Sequence, residues 1–176
     1  MTNTKIALAT KSFITSNAQF CTHALTLQMN LHTCNASAVT MERLLERGMR
    51  TTRQFIRRLA VAAYGNGAIR KPHLYYPLFI TVIEGTLNTY DKNRTLHTHA
   101  VIGNILTPFS KIKTEEQLIE TIRECWLATD DGVDDIDIQE FSSTGWISYI
   151  TKELDRGNME CVDWTNSYIP NAALLN

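Results

Sequence analysis

The chain contains no run of about 18 apolar residues, so no helix of it is expected to cross a membrane. Its opening, MTNTKIALATKSFITSN, lacks a basic stretch followed by a long apolar one, and secretion is not expected. Cysteine is sparse. Cys21, Cys34, Cys125 and Cys161 are dispersed through 176 residues, which points to reduced thiols in a cytoplasmic protein rather than a disulfide framework. Cys21-x-His23 and His32-x-Cys34 offer ligand types for zinc, but the spacing fits no common zinc module, so burial is the expected role. A Gly-x-x-x-x-Gly-Lys loop is missing, which excludes that mode of nucleotide binding. Repeats, low-complexity tracts and a second domain are not seen either. The length suits one domain, 1–176, with a core at about 20–157 and a tail, 158–176, that is either a packed segment or a linker.

Net charge is nearly absent too, at −1, but its distribution is uneven. Between Met41 and Lys71 eight basic residues meet only Glu42 and Glu46, whereas between Lys113 and Asp163 four basic residues meet fourteen acidic ones. All the basic residues from 41 to 58 are arginines, whose planar guanidinium grips phosphate bidentately. Arg50, Arg53 and Arg57 are therefore candidates for a nucleic-acid-binding face; the alternatives are a solvated helix face or cover for a neighbouring surface.

Phe20 to Met29 reads as a strand centred on Ala24-Leu25-Thr26-Leu27, after seventeen residues without clear period that suit an extra strand or an arm. Thr40 is the expected N-cap of a long helix carrying Leu44, Leu45, Met49, Phe55, Ile56, Leu59, Ala60 and Ala63, ended by Gly65-Asn66-Gly67. Phe79–Ile83 and Leu96–Ile102 are β-branched and aromatic, and the polar GTLNTYDKNRT between them predicts a long hairpin loop. Thr114 and Gln117 form a capping box for a helix with Leu118, Ile119, Ile122, Cys125 and Trp126 on one face. An acidic loop, Asp130–Asp135, precedes the alternating strand Ile136–Phe141. Ser143 or Thr144 can cap a last helix, Gly145 to Leu154. The pattern predicts an α+β sandwich, a central antiparallel sheet of about five strands with helices on one face.

His97 and His99, two apart on a strand, leave the same face about 6.5–7 Å from each other. Glu84 ends the preceding strand and lies opposite or diagonal to them if the loop closes near Asp91. Two imidazoles and a carboxylate can seat one divalent cation with positions open for substrate; the bland alternative is two solvated or core histidines. Trp146, Tyr149, Lys152 and Glu153 share one side of the last helix. A phenol becomes a nucleophile when a nearby ammonium favours its phenolate and a cation polarises the phosphodiester, and Lys152 is one turn from Tyr149. A surface Tyr-x-x-Lys over a core Trp146 is the other reading.

ALTL, then LHTHAVIGN, then YITK resemble the three ordered motifs of HUH endonucleases. With histidines ahead of tyrosine, the order is similar to the replication initiators of rolling-circle plasmids, phages and small single-stranded DNA viruses, whereas conjugative relaxases place tyrosine first. The resemblance covers about residues 20–157 and implies the ferredoxin-like fold of those nucleases. It further implies Mg²⁺ or Mn²⁺ on Glu84, His97 and His99. Tyr149, assisted by Lys152, would attack single-stranded DNA at an origin hairpin or nick site to give a 5′-phosphotyrosine. With no Gly-x-x-x-x-Gly-Lys loop, strand separation would fall to a separate helicase or to a further domain. Two features depart from the pattern: Thr98 stands where an apolar residue is usual, and the motif has one tyrosine. Glu153, four positions on, is either an activator of water that ends the cycle or a solvated glutamate. Cupin-like oxygenases share the ligand triad but need eight or more strands. The alternatives are a non-catalytic single-strand-binding module on a ferredoxin-like sheet, although the strand segments lack the paired exposed aromatics such modules use, and a transposase- or relaxase-type enzyme.

Overall fold

The computed structural model describes residues 3–87, 93–141, 145–158 and 160–170. Its strands are β1 (His23–His32), β2 (Leu78–Glu84), β3 (Thr95–Gly103) and β4 (Gly132–Glu140), an antiparallel sheet in the order β2-β3-β1-β4. The fold is therefore α+β, with four strands among the described residues where about five were expected. The place of a fifth is taken by the C-terminal segment. Phe79 exchanges both backbone hydrogen bonds with Tyr168 (2.7 Å each), and Ile83 N–H donates to the Cys161 carbonyl (2.7 Å).

Helices cover both faces of the sheet, not one. On the first face α2 (Ala38–Tyr64) and α5 (Glu115–Leu127) close the main core over Leu25, Leu27, Leu96, Ala100 and Phe79. Phe55 on α2 sits at its centre, edge-on to Phe79 and to Trp126 of α5. Gly48 lets α2 come down on the strands: a Cβ there would already touch Leu96 Cδ1 and Met29 Sδ at 3.4 Å. Of the capping box of α5 the first half forms, Thr114 accepting from Gln117 N–H, while the Gln117 side chain accepts from Lys113 N–H, one residue ahead of the cap. The cap of α2 is Ser37, and Thr40 is the residue whose N–H it receives. Short helices α3 (Gly67–Arg70) and α4 (Pro72–Tyr75) lead to β2.

The second face is closed by elements that the sequence pattern concealed. Residues 3–17 form a helix, α1 (Asn3–Asn17), which buries only Ala7 and Ile14 and so has too thin an apolar stripe to be legible. It meets α6 (Gly145–Ile150) and α7 (Lys152–Asp155), and Lys11 pairs with Asp155 at 2.6 Å. The expected single helix from 145 to 154 is broken at Thr151. The buried Thr151 hydroxyl donates back to the Ile147 carbonyl (2.7 Å), and the chain restarts as α7. The proposed caps Ser143 and Thr144, the loop centre 88–92 and residues 171–176 lie outside the described residues.

The acidic loop is also shorter than read. Gly132 to Asp135 belong to β4, and Asp131 is buried, accepting from Arg47 (2.5 and 3.0 Å) and Thr51 (2.9 Å). No described helix is long and apolar enough to cross a membrane.

Candidate metal centre

Register decides what the hairpin brings together. Glu84 stands directly opposite His97 across β2 and β3, and Val82 opposite His99, so the carboxylate reaches diagonally to the second imidazole. All three side chains emerge on the face covered by α1, α6 and α7. Nε2 of His97 and Nε2 of His99 are each 3.5 Å from Glu84 Oε2, and one ligand atom from each residue lies within 4.8 Å of the others. Gly85 fixes the carboxylate's place. It turns the chain with φ of 106°, a Cβ there would fall 2.4 Å from the Thr95 carbonyl oxygen, and its own carbonyl accepts from Thr33 (2.9 Å).

The arrangement fits a divalent cation on three grounds. Glu84 and His99 are each 1% exposed, yet Glu84 Oε1 and His99 Nε2 have no hydrogen-bond partner, and a buried polar atom seldom goes unsatisfied without a function. His97 Nδ1 lies 3.4 Å from the Thr95 carbonyl, a contact that turns its Nε2 towards the carboxylate. Burial lowers the pKa of His99, outweighing the opposing pull of Glu84, and so favours the neutral imidazole a metal requires. Glu84 is an anion. Burial pushes its pKa up, but the two imidazoles close by and the Lys152 ammonium in contact with it prevail and hold it far below the usual carboxylate range.

Tyr149 and Lys152 reach this same face from the two short helices. The Tyr149 ring stands edge-on to the His99 imidazole, centroids 5.2 Å apart, and remains 51% exposed. Lys152 donates to Glu84 Oε2 at 2.6 Å while its Nζ lies 3.8 Å from the centre of the Tyr149 ring. Trp146 completes the aromatic wall, edge-on to His99 at 5.7 Å. Thr98 points the opposite way, as its position between the histidines requires, and its hydroxyl pairs with that of Thr52 beneath the sheet (2.8 Å).

Glu153 is not a solvated residue. It is fully buried, accepts from Asn158 Nδ2 (2.7 Å) and lies 3.7 Å from Arg94 Nη2. The arginines of α2 are not brought to the centre, because α2 packs on the other side of the sheet. Arg50 is 3.9 Å from Asp130, Arg53 donates to Asn166 (3.3 Å), and Arg57 lines a shallow groove between α2 and α5. The four cysteines are free. Cys21 and His23 lie at one end of β1 and His32 and Cys34 at the other, which rules out one shared ion; burial pushes the Cys21 thiol up to about 12.

Thr26 escaped the sequence reading. It faces His99 across β1 and β3, and its hydroxyl is 3.0 Å from His99 Nδ1, so it can set the tautomer and aim of that ring. Its only signal was a polar residue at the middle of ALTL. No family model, curated protein or solved structure matches this chain.

Proposed function

We propose that this chain is a metal-dependent nuclease of the HUH type, which nicks and rejoins single-stranded DNA as an initiator of rolling-circle replication does. The observation that supports this reading is the meeting of the ALTL strand, the histidine strand and the Tyr149–Lys152 segment at one centre, through Thr26, His97, His99, Glu84 and the Tyr149 ring. Glu84, His97 and His99 would hold Mg²⁺ or Mn²⁺. The ion, when bound, supplies a Lewis acid for the non-bridging oxygens of a phosphodiester.

The exposed Tyr149 phenol is the attacking group. Its oxygen bonds to phosphorus, the bond from phosphorus to the 3′ oxygen breaks, the phenolic proton is lost and the 3′ oxygen gains one. The product is a 5′-phosphotyrosine and a free 3′-hydroxyl, and reversal rejoins the ends without a nucleotide cofactor. Lys152, whose ammonium lies over the ring, is the positive group nearest the attacking oxygen and would assist the step by its charge. Glu153, tied to Asn158 and close to Arg94, is left out of the chemical steps.

The test is incubation with Mn²⁺ and a labelled pool of single-stranded and hairpin DNA, followed by denaturing electrophoresis. A denaturation-resistant adduct is expected, with its mass mapped to Tyr149 and its yield abolished in Tyr149→Phe. An adduct that persists in Tyr149→Phe, or none across the pool, overturns the proposal; binding unaffected by that change would instead indicate a non-catalytic module.

A further inference from the structure

We infer that Lys152 is the internal counter-ion of the metal centre and that a divalent cation must displace it from Glu84 in order to bind. The inference rests on the reading of Glu84, His97 and His99 as the metal ligands.

Three observations carry it. The Lys152 ammonium holds Oε2, the oxygen that lies 3.5 Å from both imidazole Nε2 atoms. That oxygen is the one best placed to complete a site with the two rings. An ion bound there and an ammonium 2.6 Å from the same atom would be like charges in contact, inside a pocket where Glu84 is 1% exposed and screening is weak. Second, the ammonium satisfies the centre only in part: Glu84 Oε1 and His99 Nε2 stay buried and unpartnered beside it. An ammonium can donate to carboxylate oxygens but adds nothing to an imidazole lone pair beyond one hydrogen bond, whereas a divalent ion takes both rings and the carboxylate together. Third, the ammonium has somewhere to go. It already lies over the Tyr149 ring, 3.8 Å from its centre, and the side chain is about a third exposed. A shift along that ring releases Glu84 without exposing a buried charge.

The break at Thr151 makes this exchange local. Lys152 is the first residue of α7, downstream of Thr151's bond to Ile147, so its side chain can swing while α6 keeps Tyr149 in place. Loading the ion would then free the ammonium from Glu84 and leave it to the Tyr149 ring alone, so that its charge is undivided beside the nucleophile only when the Lewis acid is present.

The sign of one measurement separates this from a merely supporting role. Calorimetric titration of the full chain with Mn²⁺ at pH 8 should show Lys152→Met and Lys152→Gln binding at least tenfold tighter than wild type, with Lys152→Arg close to wild type because the charge is kept. If Lys152 only props Glu84, removal of its charge leaves affinity unchanged or lowers it, and either result overturns the inference. Should the neutral variants fail to fold, the side-chain ammonium ¹⁵N resonance of Lys152 in wild-type protein decides. It is expected to move on adding Mg²⁺ and to stay fixed in His99→Ala; a resonance indifferent to Mg²⁺ in a wild type that binds it overturns the exchange. A wild type that binds neither ion overturns the metal reading itself.

Discussion

The two faces of this sheet are built on opposite terms. Under α2 and α5 the strands present Leu25, Leu27, Leu96, Ala100 and Ile102, and the one polar pair on β3's side, Thr52 with Thr98, satisfies itself. Under α1, α6 and α7 the same strands present Thr26, Glu84, His97 and His99, with buried atoms left unpartnered. The first face supplies the larger core; the second has smaller apolar clusters, among them Leu78, Ile80 and Val82 with Ile14, Ile147 and Ile150, and beside them holds buried polar atoms that an added ligand can satisfy. A β-strand's period of two lets β3 serve both with alternate residues, so the strand that carries the histidines is anchored by Leu96, Ala100 and Ile102 on its other side.

The sharpest way to break the comparison is to damage one face and read the other. Phe55→Ala, which removes a ring packed on Phe79 and Trp126, should cost about 3–5 kcal/mol in urea unfolding, while the molecules that remain folded bind Mn²⁺ as before. His99→Ala should do the reverse, lowering Mn²⁺ affinity more than about 100-fold with little loss of stability. If Phe55→Ala spares stability or His99→Ala spares binding, the division of labour is wrong. Thr26→Val should loosen Mn²⁺ by about tenfold at unchanged melting temperature, and Thr26→Ser should restore it, because the hydroxyl rather than the shape orients His99.

A smaller effect concerns acid, measured with a chelator present. Glu84 has a lower pKa folded than unfolded, so its contribution is complete above the ordinary carboxylate value of about 4.3 and drains away as pH falls below it. Asp163, on the segment that flanks β2, is the converse: burial raises its pKa over the opposing hydrogen bond from Asn166. Its contribution is greatest below about 3.9 and is lost as pH rises through the folded value. Glu84→Gln should therefore be costlier at pH 7 than at pH 3.5, and Asp163→Asn the less costly at pH 7. Parallel slopes in urea unfolding at the two pH values would remove the contrast.

Much of the site was legible because it is local. Glu84, His97 and His99 are placed by two strands and a turn, and period two alone puts both imidazoles on one face. The cap at Thr114 was equally readable, since cap and partner are three residues apart. What stayed hidden depends on packing between distant segments. α1 has two buried residues and acquires a role only against α6 and α7. The hydrogen bonds of Lys152 to Glu84 and of Thr26 to His99 span 68 and 73 positions and exist only once the sheet order is known. Ser37 and Thr40 are both good caps, and φ and ψ near −65° and 164° at Ser37 settle which one stands outside the helix.

The sheet ends in two margins, and they are guarded by different means. Along β2 the chain's own residues 161–168 lie against the outer strand and occupy part of its backbone. Along β4 no described strand pairs with the outer side; Arg123 of α5 donates to the Ile136 carbonyl (3.4 Å) and lies 3.7 Å from Asp134, and Asp134, Asp135, Asp137 and Glu140 stand exposed. A foreign strand approaching that side meets a row of carboxylates, which resist stacking one chain upon the next. The acidity that looked like a loop in the sequence thus lies along a strand edge, and a polyanion approaching the same rim would meet like charge.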